Sequence, residues 1–183
     1  MRMWIALAWI AAAFAGGCAH LPRGHVQAGV DGDRVCAGRV CYRIGALPEG
    51  WRLVHQESAS VGFFSEAVGG VIAANATCRD DAEASPLATL TGQMLIGYTD
   101  RQVESQTTVP LDGREALRSR VHVKLDGVPM TLDLYVMKRN GCIFDLSYAA
   151  PPAAFAGGEG AFHAFVDGFA DVRSVQASRG GAQ

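Results

Sequence analysis

The residues that could do chemistry lie on two neighbouring predicted strands in the second half of the chain. Basic residues occupy alternate positions of the stretch 118–124, and an acidic and an aromatic residue follow on the next strand. Because guanidinium groups bind carboxylates and phosphates through paired hydrogen bonds, this pattern permits a binding face for an anionic group. It is more typical of the wet side of an antiparallel sheet, with cross-strand polar pairs. The candidate binding face consists of Arg118, Arg120, His122, Asp133 and Tyr135.

The sequence contains few of the motifs that are typical of enzyme active sites. It contains no Gly-x-Ser-x-Gly elbow, no His-Glu-x-x-His and no phosphate-binding glycine loop. A hydrolase could use only His122 and Ser147, which are predicted to lie on strands two apart. The acidic stretch 80–83 is more typical of a solvated turn before a helix than of a cation site. We therefore expect a protein that is not an enzyme and that holds no metal or cofactor.

Two turns position the candidate residues. Asp126-Gly127 is typical of a two-residue hairpin, whose register places apolar residues opposite apolar ones and polar residues opposite polar ones. The predicted pairs are Val123 with Met130, Val121 with Leu132, Arg120 with Asp133, and Arg118 with Tyr135.

The second turn, Arg139-Asn140-Gly141, allows two registers. A plain two-residue turn would place Asp145 and Ser147 opposite core residues. A three-residue loop would pair Val136 with Phe144 and Leu134 with Leu146, which keeps one face apolar, and it places Tyr135 opposite Asp145. The apolar pattern therefore favours the three-residue loop.

The remaining elements give an α+β fold with an antiparallel sheet, including the meander 103–149, and helices packed against it. Strands are predicted at 61–65 and 71–78, and a polar edge strand at 103–110. One helix has a core stripe of Leu87, Leu90, Met94 and Tyr98, with Ser85 as its cap. A terminal helix carries the stripe Phe162, Phe165, Val166 and Phe169.

The cysteines indicate export and two disulfides. Cys36, Cys41, Cys78 and Cys142 form an even set with three possible pairings, and their spacing does not favour zinc. If strand 71–78 lies antiparallel to strand 142–149, Cys78 faces Cys142. We therefore expect Cys36–Cys41 and Cys78–Cys142 bridges.

The first residues are typical of a secretory signal. Arg2 precedes an apolar run that is too short to span a bilayer, and small residues lead to Cys18. This order resembles the lipobox of bacterial lipoproteins, although Ala15 stands where that family usually has Leu. The resemblance implies that Cys18 carries the lipid and, with Ala19 after it, that the protein reaches the outer membrane with its domain in the periplasm. An ordinary signal with a coincidental cysteine is the alternative.

The net charge argues against nucleic acid as a partner, and the composition along the chain predicts the domain organisation. The net charge of -2 gives no basic excess for nucleic acid. We expect a signal peptide at 1–17, a tether at 18–34, a single domain at 35–175 and a disordered tail at 176–183.

The stretches Tyr42–Trp51 and Pro110–Leu117 carry a Pro-x-Gly-Trp turn and an Asp-Gly turn. With the element order, they resemble the PsbP-like fold, which extrinsic photosystem proteins share with DcrB-like bacterial lipoproteins. The resemblance implies an α/β/α sandwich over roughly residues 40–172, and no catalytic residues. It favours a binding or assembly module of the envelope with a protein partner. The alternative is a small-ligand or lipid-binding accessory of an envelope transporter, with a pocket lined by Leu87, Met94, Phe144 and Phe165.

Overall fold

The structure, a computed structural model, describes residues 29–37, 40–54 and 60–172. In these ranges the strands are Gly29–Asp31 (β1), Arg34–Ala37 (β2), Val40–Arg43 (β3), Trp51–Val54 (β4), Val61–Ser65 (β5), Gly70–Cys78 (β6), Thr99–Leu111 (β7), Arg114–Leu125 (β8), Val128–Arg139 (β9), Cys142–Ala150 (β10) and Ala170–Asp171 (β11). The helices are Leu87–Met94 (α1) and Ala156–Asp167 (α2).

One large antiparallel sheet organises the molecule. Its strand order is β4-β5-β6-β10-β9-β8-β7, and a smaller sheet has the order β1-β2-β3-β11. Helix α1 packs on one face of the large sheet, against β8 and β9. Helix α2 and the small sheet cover the other face, where the aromatic residues of the core collect. The three layers agree with the predicted order, but the fold is richer in sheet than a helical α/β/α sandwich.

The register predicted for the Asp126-Gly127 hairpin is confirmed. The register predicted for the next hairpin, which joins β9 to β10, is wrong. Arg120 pairs with Asp133 and Arg118 with Tyr135 in the β8–β9 register. After β9, however, Asn140 and Gly141 form a two-residue turn in which both residues have positive φ. This conformation is the one that Asn-Gly favours in hairpins.

The tight turn changes the pairing of β10 with β9. Asp145 lies opposite Val136 and Ser147 opposite Leu134, while Tyr135 lies opposite Leu146. The predicted pairs of Val136 with Phe144 and of Tyr135 with Asp145 are therefore wrong. Turn chemistry determines this register, and two polar residues enter a largely apolar face.

Helix α1 is shorter than its core stripe predicts. It ends at Met94, and Gly97 with positive φ and Tyr98 lead into β7. Ser85 does not cap it, because the residue before the helix is Pro86 and no side chain bonds to the first turn. The predicted edge strand is confirmed, since β7 pairs only with β8 among the described strands.

Both predicted disulfides are confirmed. Cys36–Cys41 joins β2 to β3, and Cys78–Cys142 joins β6 to β10. Two structural disulfides fit an extracytoplasmic location, because reducing compartments disfavour them. Neither described helix is long and apolar enough to cross a bilayer.

Some sequence predictions fall on residues outside these ranges. Cys18, the signal 1–17 and the tail 176–183 lie outside the described residues. Strand β1 lies within the range 18–34 for which a tether is predicted.

Candidate functional site

The candidate binding face lies under helix α2. Asp133 is fully buried and Tyr135 is 8% exposed, because α2 covers this side of β8 and β9. The guanidinium groups of Arg118 and Arg120 are partly buried. The expectation of a solvent-exposed face is therefore wrong for these four residues. His122, nearer the edge of the sheet, is the exposed member.

An ion-pair network occupies both arginines. Arg118 donates Nε to Oδ1 of Asp133 at 3.1 Å and Nη2 to Oδ2 at 2.6 Å, and Arg120 donates Nη2 to the same Oδ2 at 3.1 Å. Two residues of α2 complete the network. Glu159 pairs with Arg120, and Nε2 of His163 lies 2.9 Å from Nη2 of Arg118.

The network joins α2 to the sheet. The hydrogen bonds to Asp133 raise the pKa of Arg118 above its ordinary value. Each guanidinium also stacks on an aromatic ring, Arg118 on Tyr135 at 5.3 Å and Arg120 on Phe155 at 5.0 Å. Because their donors are used internally, these arginines offer little to an external anion.

The same network contains a group of potential metal ligands. Oxygen or nitrogen atoms of Asp133, Glu159 and His163 lie within 4.8 Å of one another. Each of the three already contacts Arg118 or Arg120, and two positive guanidinium groups would repel a cation. The arrangement is therefore that of a structural ion-pair cluster.

His122 and Ser147 are not brought together. His122 pairs with Glu104 at 3.0 Å and contacts Thr131 at 3.1 Å, on the face that bears α2. Ser147 lies opposite Leu134, on the face that bears α1. With the base and the hydroxyl on opposite faces, the pair cannot act as a hydrolase site.

The described residues form an open depression of about 810 Å³ beside β7 and a smaller, more enclosed groove on the α1 face. This groove has a volume of about 600 Å³ and runs between α1 and strands β6, β9 and β10. Small-molecule sites in proteins commonly have volumes of roughly 300–1,000 Å³. We call it the α1 groove. Its apolar lining includes Leu90, Met94, Tyr98, Leu125, Met130, Leu132, Leu134 and Ile143, and its polar lining includes Asn75, Asp145 and Ser147.

The groove exists because α1 is short and the residues beneath it are small. The helix has only eight residues and lies over β8 and β9. The neighbouring strand β6 presents Val71 and Ala73 to the groove, and β10 presents Ala149. These small side chains leave the space between helix and sheet unfilled.

Asp145 gives the groove its charge. Burial raises the pKa of this carboxyl to about 6, while a hydrogen bond from Asn75 acts in the opposite direction. No ion pair to Asp145 forms within the part of the chain that the structure describes. A carboxylate thus faces a largely apolar groove, and its partners among the described residues are neutral.

The predicted pocket combines residues from different faces. Met94 lines the α1 groove, whereas Leu87 lines a shallow depression beside β7. Phe144 and Phe165 are fully buried in the core on the α2 side, so their predicted place in a pocket is wrong. Adjacent residues of a strand face opposite sides, and the mistaken register assigned Phe144 to the α1 face.

Comparison with known proteins was made by sequence and by structure. Neither a protein-family model nor a curated protein matches the sequence. The solution structure of cyanobacterial PsbP (CyanoP) from Synechocystis sp. PCC 6803 matches with a TM-score of 0.53 and 12% identity, over 86% of this chain and 98% of that one. The fold is PsbP-like.

A second structure with this PsbP-like fold comes from another bacterium. LpqN of Mycobacterium tuberculosis, described as involved in cell envelope biogenesis, matches with a TM-score of 0.54 and 16% identity over 72% of this chain and 84% of its own. A crystal structure from Bacteroides thetaiotaomicron VPI-5482 has a TM-score of 0.48 and 14% identity over 71% of this chain, which spans only 44% of that protein.

Proposed function

We propose that this protein is a non-enzymatic binding protein of the cell envelope, anchored to the outer membrane by a lipid on Cys18, that holds a small amphipathic ligand in the α1 groove. The groove carries the proposal, because it combines an apolar lining with a few convergent polar groups, as ligand sites do. The two disulfides support export.

The geometry favours the small-ligand function over a protein partner held by arginines. Arg118 and Arg120 are engaged by Asp133 and by residues of α2, so they are poor contacts for a partner. The α1 groove, in contrast, is accessible and carries a carboxylate that has no cationic partner among the described residues. A catalytic role finds no support, since His122 and Ser147 face opposite sides of the sheet.

The edge strand β7 supports a second candidate function, the assembly of an envelope complex through a protein partner. It has thirteen residues, and all but Val109 and Leu111 are exposed. An extended edge can accept a strand from another chain. This function would leave the α1 groove free.

Photo-crosslinking in the native envelope tests the proposal. A photoreactive amino acid replaces Gln93, an exposed residue of the groove lining, and a matched protein carries it at Asp31, an exposed residue of the small sheet on the opposite face. Intact-mass analysis should find small-molecule adducts at position 93 and not at 31. Identical adducts at both positions, or adducts at 93 that are proteins only, would contradict the small-ligand function.

The anchor has its own test. Cells are grown with an alkyne-labelled fatty acid, and the protein is compared with its Cys18→Ser variant in membrane fractions. We expect label and outer-membrane localisation in the wild type and loss of both in the variant. A wild-type protein that is soluble and unlabelled would contradict the proposed anchor and leave the groove untested by that result.

A further inference from the structure

The α1 groove has an asymmetric charge. Of the residues that line it, only Asp145 and Arg79 carry a formal charge. Arg79 is at the end of the groove and is paired with Asp81 at 3.0 Å. Asp145 lies further in, opposite Asn75 in the β6–β10 register, and has no such partner among the described residues.

The elements around Asp145 bring no other cation to it. Helix α1, from Leu87 to Met94, contains no charged residue. The side chain of Asn75 donates a hydrogen bond, and Tyr42 contributes a neutral phenol whose pKa burial raises. Tyr98 lines the groove at the other end, where burial also raises its pKa. A positive charge at this point must therefore come from outside the described fold.

We propose that the α1 groove binds amphipathic molecules that carry a primary ammonium or a similar cationic group, with the cation against Asp145. This inference rests on the proposed function, since it names the class of ligand for the same groove. A carboxylate that is removed from water gains from a charge-assisted hydrogen bond more than a solvated one does. A neutral ligand would leave that carboxylate without compensation.

The apolar end of the groove indicates how an amphipathic ligand would be oriented. Leu125, Met130 and Tyr98 line the end away from Arg79. Two further apolar side chains near this end are exposed, Val128 at 56% and Ile96 at 75%. Ala149, which pairs with Val71 on the groove floor, is four residues from Asp145, or roughly 13 Å along an extended strand. An apolar chain thus has room to extend from Asp145 toward Leu125.

An anionic amphiphile is the competing ligand, and Arg79 would be its contact. The Arg79 side chain is 38% exposed and already bound to Asp81, so its charge is solvated and partly neutralised. A ligand carboxylate that reached it through the groove would pass the Asp145 carboxylate. The electrostatics therefore disfavour an anion and favour a cation.

Calorimetric titration with three probes of equal chain length tests the charge class. Decylamine, decanol and decanoate are titrated at pH 7.5, each below its critical micelle concentration, into the wild type, Asp145→Asn and Asp31→Asn. Asp145→Asn removes the charge with almost no change of shape. Asp31→Asn is the matched control, because it makes the same substitution at an exposed carboxylate of the small sheet, on the opposite face.

We expect decylamine to bind the wild type best and decanoate worst. Asp145→Asn should weaken decylamine binding roughly tenfold or more and leave decanol binding unchanged, while Asp31→Asn should change neither. Equal decylamine affinity of wild type and Asp145→Asn, or decanoate binding the wild type as tightly as decylamine, would overturn the cation assignment. Groove adducts at Gln93 would still support a ligand of another charge, whereas their absence would contradict the proposed function itself.

Discussion

At the scale of single residues, the Asp145 carboxyl destabilises the folded protein when it is ionised, and it is also the group proposed to bind a cationic ligand. Its carboxyl is held at the floor of an apolar groove, where burial raises the pKa to about 6 from an ordinary value of 3.8. Between these two values the folded protein binds a proton that the unfolded chain has lost. The free energy of unfolding therefore decreases as the pH rises through this window.

Replacement of Asp145 by Asn removes this cost. We expect Asp145→Asn to be more stable than the wild type by about 1–3 kcal/mol at pH 7, because the ionised carboxylate is no longer buried. The difference should shrink toward zero below about pH 3, where the wild-type carboxyl is protonated in both states. Urea denaturation at several pH values measures it. A variant that is less stable than the wild type at pH 7 would show that the carboxylate has a stabilising partner.

The sequence predicts part of the residue-scale network. The pairs of Arg120 with Asp133 and of Arg118 with Tyr135 follow from the Asp126-Gly127 turn, which fixes the register of β8 and β9. Glu159 and His163 could not be predicted as partners. They come from α2, and local pairing rules say nothing about which face of the sheet a distant helix covers.

At the scale of elements, α2 lies unusually close to the sheet. A Cβ atom added at Gly158 would lie 2.2 Å from the Tyr148 hydroxyl, which donates a hydrogen bond to the Phe155 carbonyl. At Gly160, on the same helix, a Cβ atom would meet nothing within 4 Å. A substitution at Gly158 therefore tests the close packing of α2, and one at Gly160 tests helix propensity alone.

Alanine at these two positions should have opposite effects. Gly158→Ala should lower the free energy of unfolding by about 1–3 kcal/mol, because it overpacks the contact with Tyr148. Gly160→Ala should raise it by about 0.5–1 kcal/mol, since alanine favours a helix over glycine. Thermal and urea unfolding measure both. Equal effects of the two substitutions would contradict the close packing of α2 on β10.

The second hairpin shows where element prediction fails. Asn140-Gly141 is a strong signal for a two-residue turn, and it conflicts with the register that keeps one face of the sheet purely apolar. The structure keeps the turn and places Asp145 and Ser147 on the α1 face. Polar residues that conflict with an otherwise apolar pattern often mark functional sites, and here they form the polar floor of the groove.

At the scale of the whole molecule, the two faces of the sheet are unequally covered. Helix α2 and the small sheet bury the aromatic core on one side. Helix α1, with eight residues, covers only part of the other side and leaves the groove. The meander β7–β10, its contact with β6 and both disulfides could be predicted from periodicity, turns and cysteine count, whereas the small sheet and the place of β4 could not. The groove could not, since it depends on how far a short helix extends over a long sheet.

The disulfides should contribute unequally to stability. Cys78–Cys142 closes a separation of 64 residues, whereas Cys36–Cys41 closes one of 5. In the chain-entropy model, their loss costs about 4 and about 2 kcal/mol respectively. Urea denaturation of the Cys78→Ala/Cys142→Ala and Cys36→Ala/Cys41→Ala proteins measures this order. A larger loss in the second protein would contradict it.

Methionine-methyl NMR tests most directly whether the α1 groove is the ligand site. Among the described residues, Met94 and Met130 line the groove, whereas Met137 is fully buried on the opposite face and serves as an internal control. With methyl-labelled methionine, addition of decylamine should shift the Met94 and Met130 signals and leave Met137 in place. Decylamine binding that leaves both groove signals unchanged, or that shifts Met137 as strongly, would contradict the groove as the binding site.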